Sequence, residues 1–210
     1  MPRYKMRTAS ASNKKKSGYT NKSRSKKALL ETCMTALFAA SIAGGTFIAI
    51  PVGPVPIVLQ NFFVVLSGLV LGPLLGTAAV GLYLLAGLLG APVFAGFTSG
   101  LVRLAGPTGG FLAGYLLAAL ITGLIAGRPG MIISGRAHNS LKRLIAAVAA
   151  GFLVVYVPGI LWLKIVTELD WNRAFLAGLF PFIPGDIFKG IAAVLIAKRA
   201  RTTAADIFNV

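Results

Sequence analysis

The sequence predicts an all-α membrane protein, a six-transmembrane-helix bundle with N- and C-termini cytoplasmic. Three observations lead there. Of 210 residues, 56% are hydrophobic and only 12% are charged, about half the charged share of a soluble domain. Mean hydropathy is +0.81. The formal net charge is nevertheless +16, from 21 Lys and Arg against 5 Asp and Glu, so apolar and basic character must occupy different segments.

Residues 1–27 hold ten of the cations, from Arg3 to Lys27, with no acid and almost no apolar content. They read as a basic cytoplasmic tail, disordered and drawn to anionic lipid. The segment is too long for a secretory n-region and too Lys-rich for a transit peptide. It lacks the interleaved aromatics of a nucleic-acid arm.

The transmembrane domain is 28–198. A bilayer core of about 30 Å needs roughly 20 apolar residues per helix, fewer where a helix is broken. The first span is 28–50. The second, 57–72, ends at Gly72–Pro73, and the third is 74–90. A Gly- and Pro-rich stretch, 90–108, precedes the fourth span at 109–127. A polar link, 128–143, precedes the fifth at 144–163. The sixth, 174–198, is interrupted by Pro181 and Pro184–Gly185, and 199–210 forms a cytoplasmic C-terminal tail.

Loop charge supports the count. With the N-terminus inside, Arg128, Arg136, Lys142, Arg143, Lys198, Arg199 and Arg201 join the ten basic residues of the tail. Only Arg103, Lys164 and Arg173 fall outside. That is the positive-inside asymmetry, and it places the chain as a multi-pass protein of the cytoplasmic membrane. Small residues recur at four-residue spacing in Gly68/Gly72/Gly76, Gly110/Gly114 and Ala119/Gly123/Gly127, strips that let helices approach closely within the chain. On the first helix, Ala36/Ala40 and Ala39/Ala43 overlap and suit a partner subunit as well.

Several chemistries are excluded. Cys33 is the only cysteine, read as a small buried thiol, and His138 the only histidine, read as a solvated loop residue. A disulfide framework and a multi-histidine metal site are therefore impossible within one chain. There is no Gly-Lys pair, so no phosphate-binding loop and no intrinsic ATPase. Ser99 lacks a base on its side of the membrane. The chain reads as a non-enzyme without a cofactor.

Function must then lie in polar groups held within or beside the apolar spans. Ionisable groups inside a span cost roughly 2.5–3.5 kcal/mol each and are functional candidates for that reason. Asp186 and Lys189 stand three residues apart, on one helix face, just after Pro184. They form either a self-neutralising structural pair or a ligand site. Arg103 with Gly106-Pro107-Thr108-Gly109-Gly110 opens the fourth span, where Gly-rich backbone can present N–H groups to an anion or carbonyl. Gln60 and Asn61 follow Pro54-Val-Pro56 into the second span and must find partners. All three clusters fall on the outer side, which points to a small polar-headed ligand bound near the outer face.

At these clusters the sequence resembles the BioY family, the biotin-binding S components of energy-coupling-factor (ECF) vitamin transporters. The resemblance covers about 28–198. Its motifs are Pro54-Val-Pro56-Ile-Val-Leu-Gln60-Asn61-Phe62, Leu71-Gly72-Pro73, Tyr83-Leu-Leu-Ala-Gly87 and Gly90-Ala-Pro92-Val-Phe94-Ala-Gly96, followed by Gly106-Pro107-Thr108-Gly109-Gly110-Phe111 and Pro181-Phe-Ile-Pro184-Gly185-Asp186-Ile-Phe-Lys189. Val58 and Asn61 depart from the family pattern of Thr on either side of Gln60, and the Lys-rich prefix is no part of it.

The resemblance implies a high-affinity biotin-binding subunit that captures biotin outside for ATP-driven uptake. Its partners would be a transmembrane T component and two cytoplasmic ATPase subunits, in a setting of membrane lipids and without nucleic acid. Biotin is then the transported ligand, not a cofactor. The resemblance assigns Asp186, Lys189 and the Thr108–Gly110 backbone to biotin's polar groups, and Tyr83, Phe94, Phe97, Tyr156 and Trp162 to apolar walls. Gln60, Asn61 and Arg103 join the substrate-binding set, and Arg103 can guide an anionic ligand. Ala36 and Ala40 match the strip by which such S components dock on the T protein. The alternatives are an S component for another small vitamin, or a structural or channel-like membrane protein.

Overall fold

The computed structural model describes the backbone of residues 3–127, 129, 132–133, 136–137 and 140–208, and side chains within 24–127, at 129 and within 140–205. His138, expected in a polar loop, lies outside the described residues. The order is α1 (Arg3–Gly44), β1 (Ala49–Ile50), β2 (Ile57–Val58), α2 (Gln60–Leu71), α3 (Pro73–Leu88), α4 (Leu101–Ala105) and α5 (Gly109–Ala126). Then come β3 (Ile132–Ile133), β4 (Arg136–Ala137), α6 (Leu141–Thr167), α7 (Trp171–Gly178) and α8 (Ile183–Phe208).

The chain is mostly helical. Among the described residues, three helices are long and apolar enough to cross a membrane, four if α7 and α8, bent by 44°, count as one broken span. The shorter α2 and α3, of 12 and 16 residues, are about 18 and 24 Å long at 1.5 Å per residue. Large apolar side chains cover the outside: Leu74, Leu89 and Val102 are 79%, 88% and 85% exposed. A soluble surface does not tolerate a coat of that extent.

Two element boundaries differ from the sequence reading. The first span ends at Gly44, not residue 50, and 49–58 folds back as an antiparallel hairpin pairing Ala49 with Val58. Gly53, Pro54 and Pro56 make this segment a turn, and a Cβ on Gly45 would lie 2.9 Å from the Gln60 backbone. At the other end, 199–210 does not begin a separate tail, because α8 continues to Phe208. The basic segment is likewise helical from Arg3 and continuous with the first span. Cys33 is exposed on α1 rather than buried.

The small-residue strips do bring helices together. A Cβ on Gly76 would stand 2.9 Å from Gly68 Cα, one on Gly68 2.5 Å from the Ala119 carbonyl, and one on Gly123 2.5 Å from Pro73 Cα. Thus α2, α3 and α5 touch backbone to backbone. Gly72, at φ 82° between α2 and α3, supplies the left-handed turn that a Cβ would disfavour, and Pro73 then starts α3 with its φ preset. On α1 the two strips separate. Ala39 is buried and Ala43 partly so, whereas Ala36 and Ala40 face outward.

Arg201 closes one end of the bundle. Counted from the sequence as a cation of the tail, it is instead fully buried, at 0% exposure. Its guanidinium donates to the carbonyls of Leu69, Ala126 (3.1 Å) and Gly127 (3.0 Å). These carbonyls end α2 and α5, where helices leave acceptors unpaired and carry partial negative charge. Arg143 donates to the neighbouring Ile125 carbonyl. One planar, five-donor cation therefore ties α8 to two other helices.

Arg201→Leu removes those donors and leaves three buried carbonyls unpaired. The expected cost is about 3 kcal/mol, read as a melting temperature lowered by several degrees in detergent. Arg201→Lys restores only part of it, because a single ammonium cannot reproduce the fork.

Candidate ligand-binding site

The break between α7 and α8 builds the site. Phe182 turns the chain by donating to the Leu179 carbonyl, and α8 restarts at Ile183 with Pro184 in its first turn. Pro lacks the N–H that this position cannot use. Asp186 follows in that turn, where the positive helix end favours a carboxylate. Its own N–H is taken by the Phe182 carbonyl at 2.8 Å. Asp186 is 7% exposed.

Three elements supply its partners. Asn61, from the first turn of α2, donates through Nδ2 to Asp186 Oδ1 at 3.0 Å. Tyr156, from α6, donates its hydroxyl to Asp186 Oδ2. Lys189 donates to Asp186 Oδ1 at 3.1 Å, Asn61 Oδ1 at 2.9 Å and the Val58 carbonyl at 2.8 Å. Every N–H of the ammonium is used, and both carboxylate oxygens are held. The ion pair, with side chains 10% and 8% exposed, joins the β2–α2 corner, α6 and α8 in one network. Burying a charge this deeply requires such complete pairing.

Beside the network lies a cavity of about 50 Å³, room for a few waters. Gln60, Asn61, Thr108, Arg103, Tyr156 and Asp186 give its polar lining, and Phe94, Phe111, Leu112, Tyr115, Val155 and Phe182 its apolar lining. The N-terminal turns of α2, α5 and α8 all reach it. Among the described residues, three buried polar atoms make no well-formed hydrogen bond: Thr108 Oγ1, and Gln60 Nε2 and Tyr83 Oη, which interact with each other. Buried polar groups are nearly always paired. Two of these residues line the cavity, and Tyr83 packs edge-on against Phe94, ring centroids 5.6 Å apart.

The structure thus gathers Gln60, Asn61, Arg103, Thr108, Phe94, Tyr156 and Asp186 around one space, with Tyr83 behind Phe94. Lys189 stands behind Asp186, outside the cavity lining. Gly109 and Gly110 are absent from the lining too. A Cβ on Gly109 would fall 1.7 Å from the Leu104 carbonyl, and one on Gly110 2.3 Å from the Pro158 carbonyl, so these glycines permit close packing on α4 and α6. The Gly109 N–H is itself bonded to the Gly106 carbonyl at 3.0 Å.

Two expected walls lie elsewhere. Phe97 is 69% exposed and stacks on Phe47. Trp162 is partly exposed and donates to the Gly106 carbonyl at 3.0 Å. Tyr156, expected only as an apolar wall, is a polar tie. Tyr115 and Leu112 carry no signal in the sequence that separates them from other span residues, and Val58, Phe111 and Phe182 fall within the family motifs without a role that the residues alone suggest. Among the described residues, no group of three His, Cys, Asp or Glu residues could hold a metal.

Comparison with known proteins places the chain by sequence and by fold. The model of the BioY family matches residues 14–206. The chain is 41% identical over 169 residues to the probable biotin transporter BioY of Pyrococcus horikoshii, covering 80% of this chain and 94% of that one. It is 41% identical over 165 residues to the biotin transporter BioY of Thermotoga maritima, covering 79% and 92%. A crystal structure of the S-component for biotin from an ECF-type ABC transporter superposes with a TM-score of 0.70 at 30% identity, covering 81% of this chain and 90% of that one.

Removing one member of the buried pair leaves the other uncompensated. Lys189→Met is expected to cost about 3 kcal/mol, and the double variant with Asp186→Asn less than the two single changes combined. Thermal unfolding of the four proteins measures this coupling. Strict additivity would mean that the pair is not coupled.

Proposed function

The chain belongs to the BioY family, and from that membership we propose that it is the high-affinity biotin-binding S component of an ECF-type importer. As a member of a transporter family it is not an enzyme. The observation that carries the ligand assignment is the Thr108 hydroxyl, buried without a hydrogen-bond partner among the described residues and lining a largely apolar cavity beside Asp186. Biotin has the matching character: ureido N–H donors and carbonyl, an apolar ring and chain, and a carboxylate. Asp186 accepts from N–H groups, Gln60 and Thr108 can donate to oxygen, and Arg103 supplies a cation for a carboxylate. Asn61, Tyr156 and the Tyr83–Phe94 pair complete the site. Lys189 reaches a ligand only by giving up one of its three bonds. Biotin needs more room than the cavity offers, so part of the wall must move outward on binding.

The same reading takes the bundle as six-spanning, with α2 and α3 as full crossings and the termini cytoplasmic. In support, α2 meets α8 at Asn61 with Asp186 near one end and at Leu69 with Arg201 near the other, so its axis is oriented across the bundle in the same direction as α5. The N- and C-terminal segments are the cytoplasmic flanks of the 28–198 domain, which places the protein in the cell membrane. Ala36 and Ala40, small and outward-facing on α1, offer the surface for a T component, which works with two cytoplasmic ATPase subunits.

Purified protein in detergent, scanned for ligand-dependent melting against biotin, riboflavin and thiamine, tests the assignment. Biotin alone is expected to raise the melting temperature. A shift with riboflavin or thiamine and none with biotin would overturn the substrate.

A further inference from the structure

The α6 and α8 helices do not close against each other along their outer faces. Between them lies a groove of about 760 Å³. Its walls include Ile145, Leu153, Ile187 and Ile191, which are 51%, 66%, 58% and 56% exposed, and its floor includes Val148 and Val194, both buried. One end reaches Tyr156 and Asp186, the other Leu141 and Leu195. Between those ends its lining is wholly apolar.

Charge marks one end only. Lys142 lies three and seven residues before the groove residues Ile145 and Ala149. Lys198 lies seven, four and three after Ile191, Val194 and Leu195. Both spacings place a residue on the groove face of its helix. Both lysines are exposed, and neither is ion-paired among the described residues. From Leu141 to Tyr156 the groove runs about 22 Å along α6 at 1.5 Å per residue. The hydrocarbon of one leaflet is about half of 30 Å. The groove is therefore long enough for an acyl chain over the depth of one leaflet, with two exposed cations at the end where a headgroup would stand.

We propose that the α6–α8 groove is a binding site for one anionic phospholipid, its acyl chain along Ile145, Leu153, Ile187 and Ile191 and its phosphate between Lys142 and Lys198. A zwitterionic lipid with the same chains fills the groove equally well but lacks the net charge that the lysines select. The chain end stops beneath Tyr156 and Asp186, so the lipid braces the two helices that those side chains already join.

The test uses full-length protein in an uncharged detergent, with dioleoyl phosphatidylglycerol or dioleoyl phosphatidylcholine added. Native mass spectrometry counts retained lipid, and melting measures stabilisation. Unaltered protein is expected to retain the anionic lipid at least fivefold better and to gain several degrees from it. Lys142→Gln with Lys198→Gln abolishes the preference without changing melting in lipid-free detergent. Ala149→Trp, which fills the groove and keeps both lysines, lowers retention of either lipid. Inorganic phosphate alone gives no shift. The proposal is overturned if both lipids are retained equally, if the preference survives in the double Lys variant, if phosphate alone stabilises, or if Ala149→Trp leaves lipid retention unchanged.

Discussion

A charge inside an apolar bundle must be paired, and the Asp186–Lys189 pair is where this requirement organises the protein. Neither ion is left to water. Asp186 takes Asn61, Tyr156 and Lys189, and Lys189 takes Asp186, Asn61 and the Val58 carbonyl. Those partners come from three segments: the β2–α2 corner, α6 and α8. Satisfying one carboxylate therefore fixes the β2–α2 corner, α6 and the restart of α8 relative to one another. The break at Leu179–Phe182 is needed for this, since an unbroken helix would not begin a fresh turn beside the carboxylate.

Helix polarity extends the same logic through the bundle. The helices α2, α5 and α8 run in one direction. Their N-terminal turns meet at the cavity, through Gln60 and Asn61, Thr108, and Asp186. The C-terminal carbonyls of α2 and α5 meet at Arg201 on α8. The positive ends thus face Asp186 and the negative ends face a guanidinium, each favourable and worth up to about 2 kcal/mol in partly buried geometry. Glycine strips make this arrangement possible by bringing α2, α3 and α5 into backbone contact. In the proposed function, the first meeting point receives biotin and the second holds the scaffold still.

Much of this was legible in the sequence because it obeys local rules. Apolar length located the helices, four-residue spacing of Gly and Ala marked their contacts, and Pro181 and Pro184 marked the break. Misplaced features depend on what lies across the bundle. Charge bookkeeping treats any Arg beyond a span as solvated, so Arg201 was counted with the tail although two helix ends bury it. Gly109 and Gly110 looked like a backbone cradle, yet α4 and α6 press against them. Tyr156 looked apolar because its partner lies thirty residues away in sequence. The hairpin at 49–58 is divided in the sequence reading, with 49–50 in the first span and 57–58 in the second, because its apolar residues continue both hydrophobic runs.

The central claim is that the protein completes its own ion network and leaves other buried polar groups for the ligand to complete. Those two sets respond oppositely to substitution. Apolar replacement of a paired group loses stability, whereas replacement of an unpaired buried group costs nothing or gains. The most direct measurement is Thr108→Val, which keeps the side-chain shape and removes only the unpaired hydroxyl. Melting without ligand and biotin affinity by titration calorimetry are then read on the same protein. The account predicts an unchanged or higher melting temperature with biotin affinity lowered about tenfold, the loss of one buried hydrogen bond. Full affinity, or a lowered melting temperature in the absence of biotin, would contradict it.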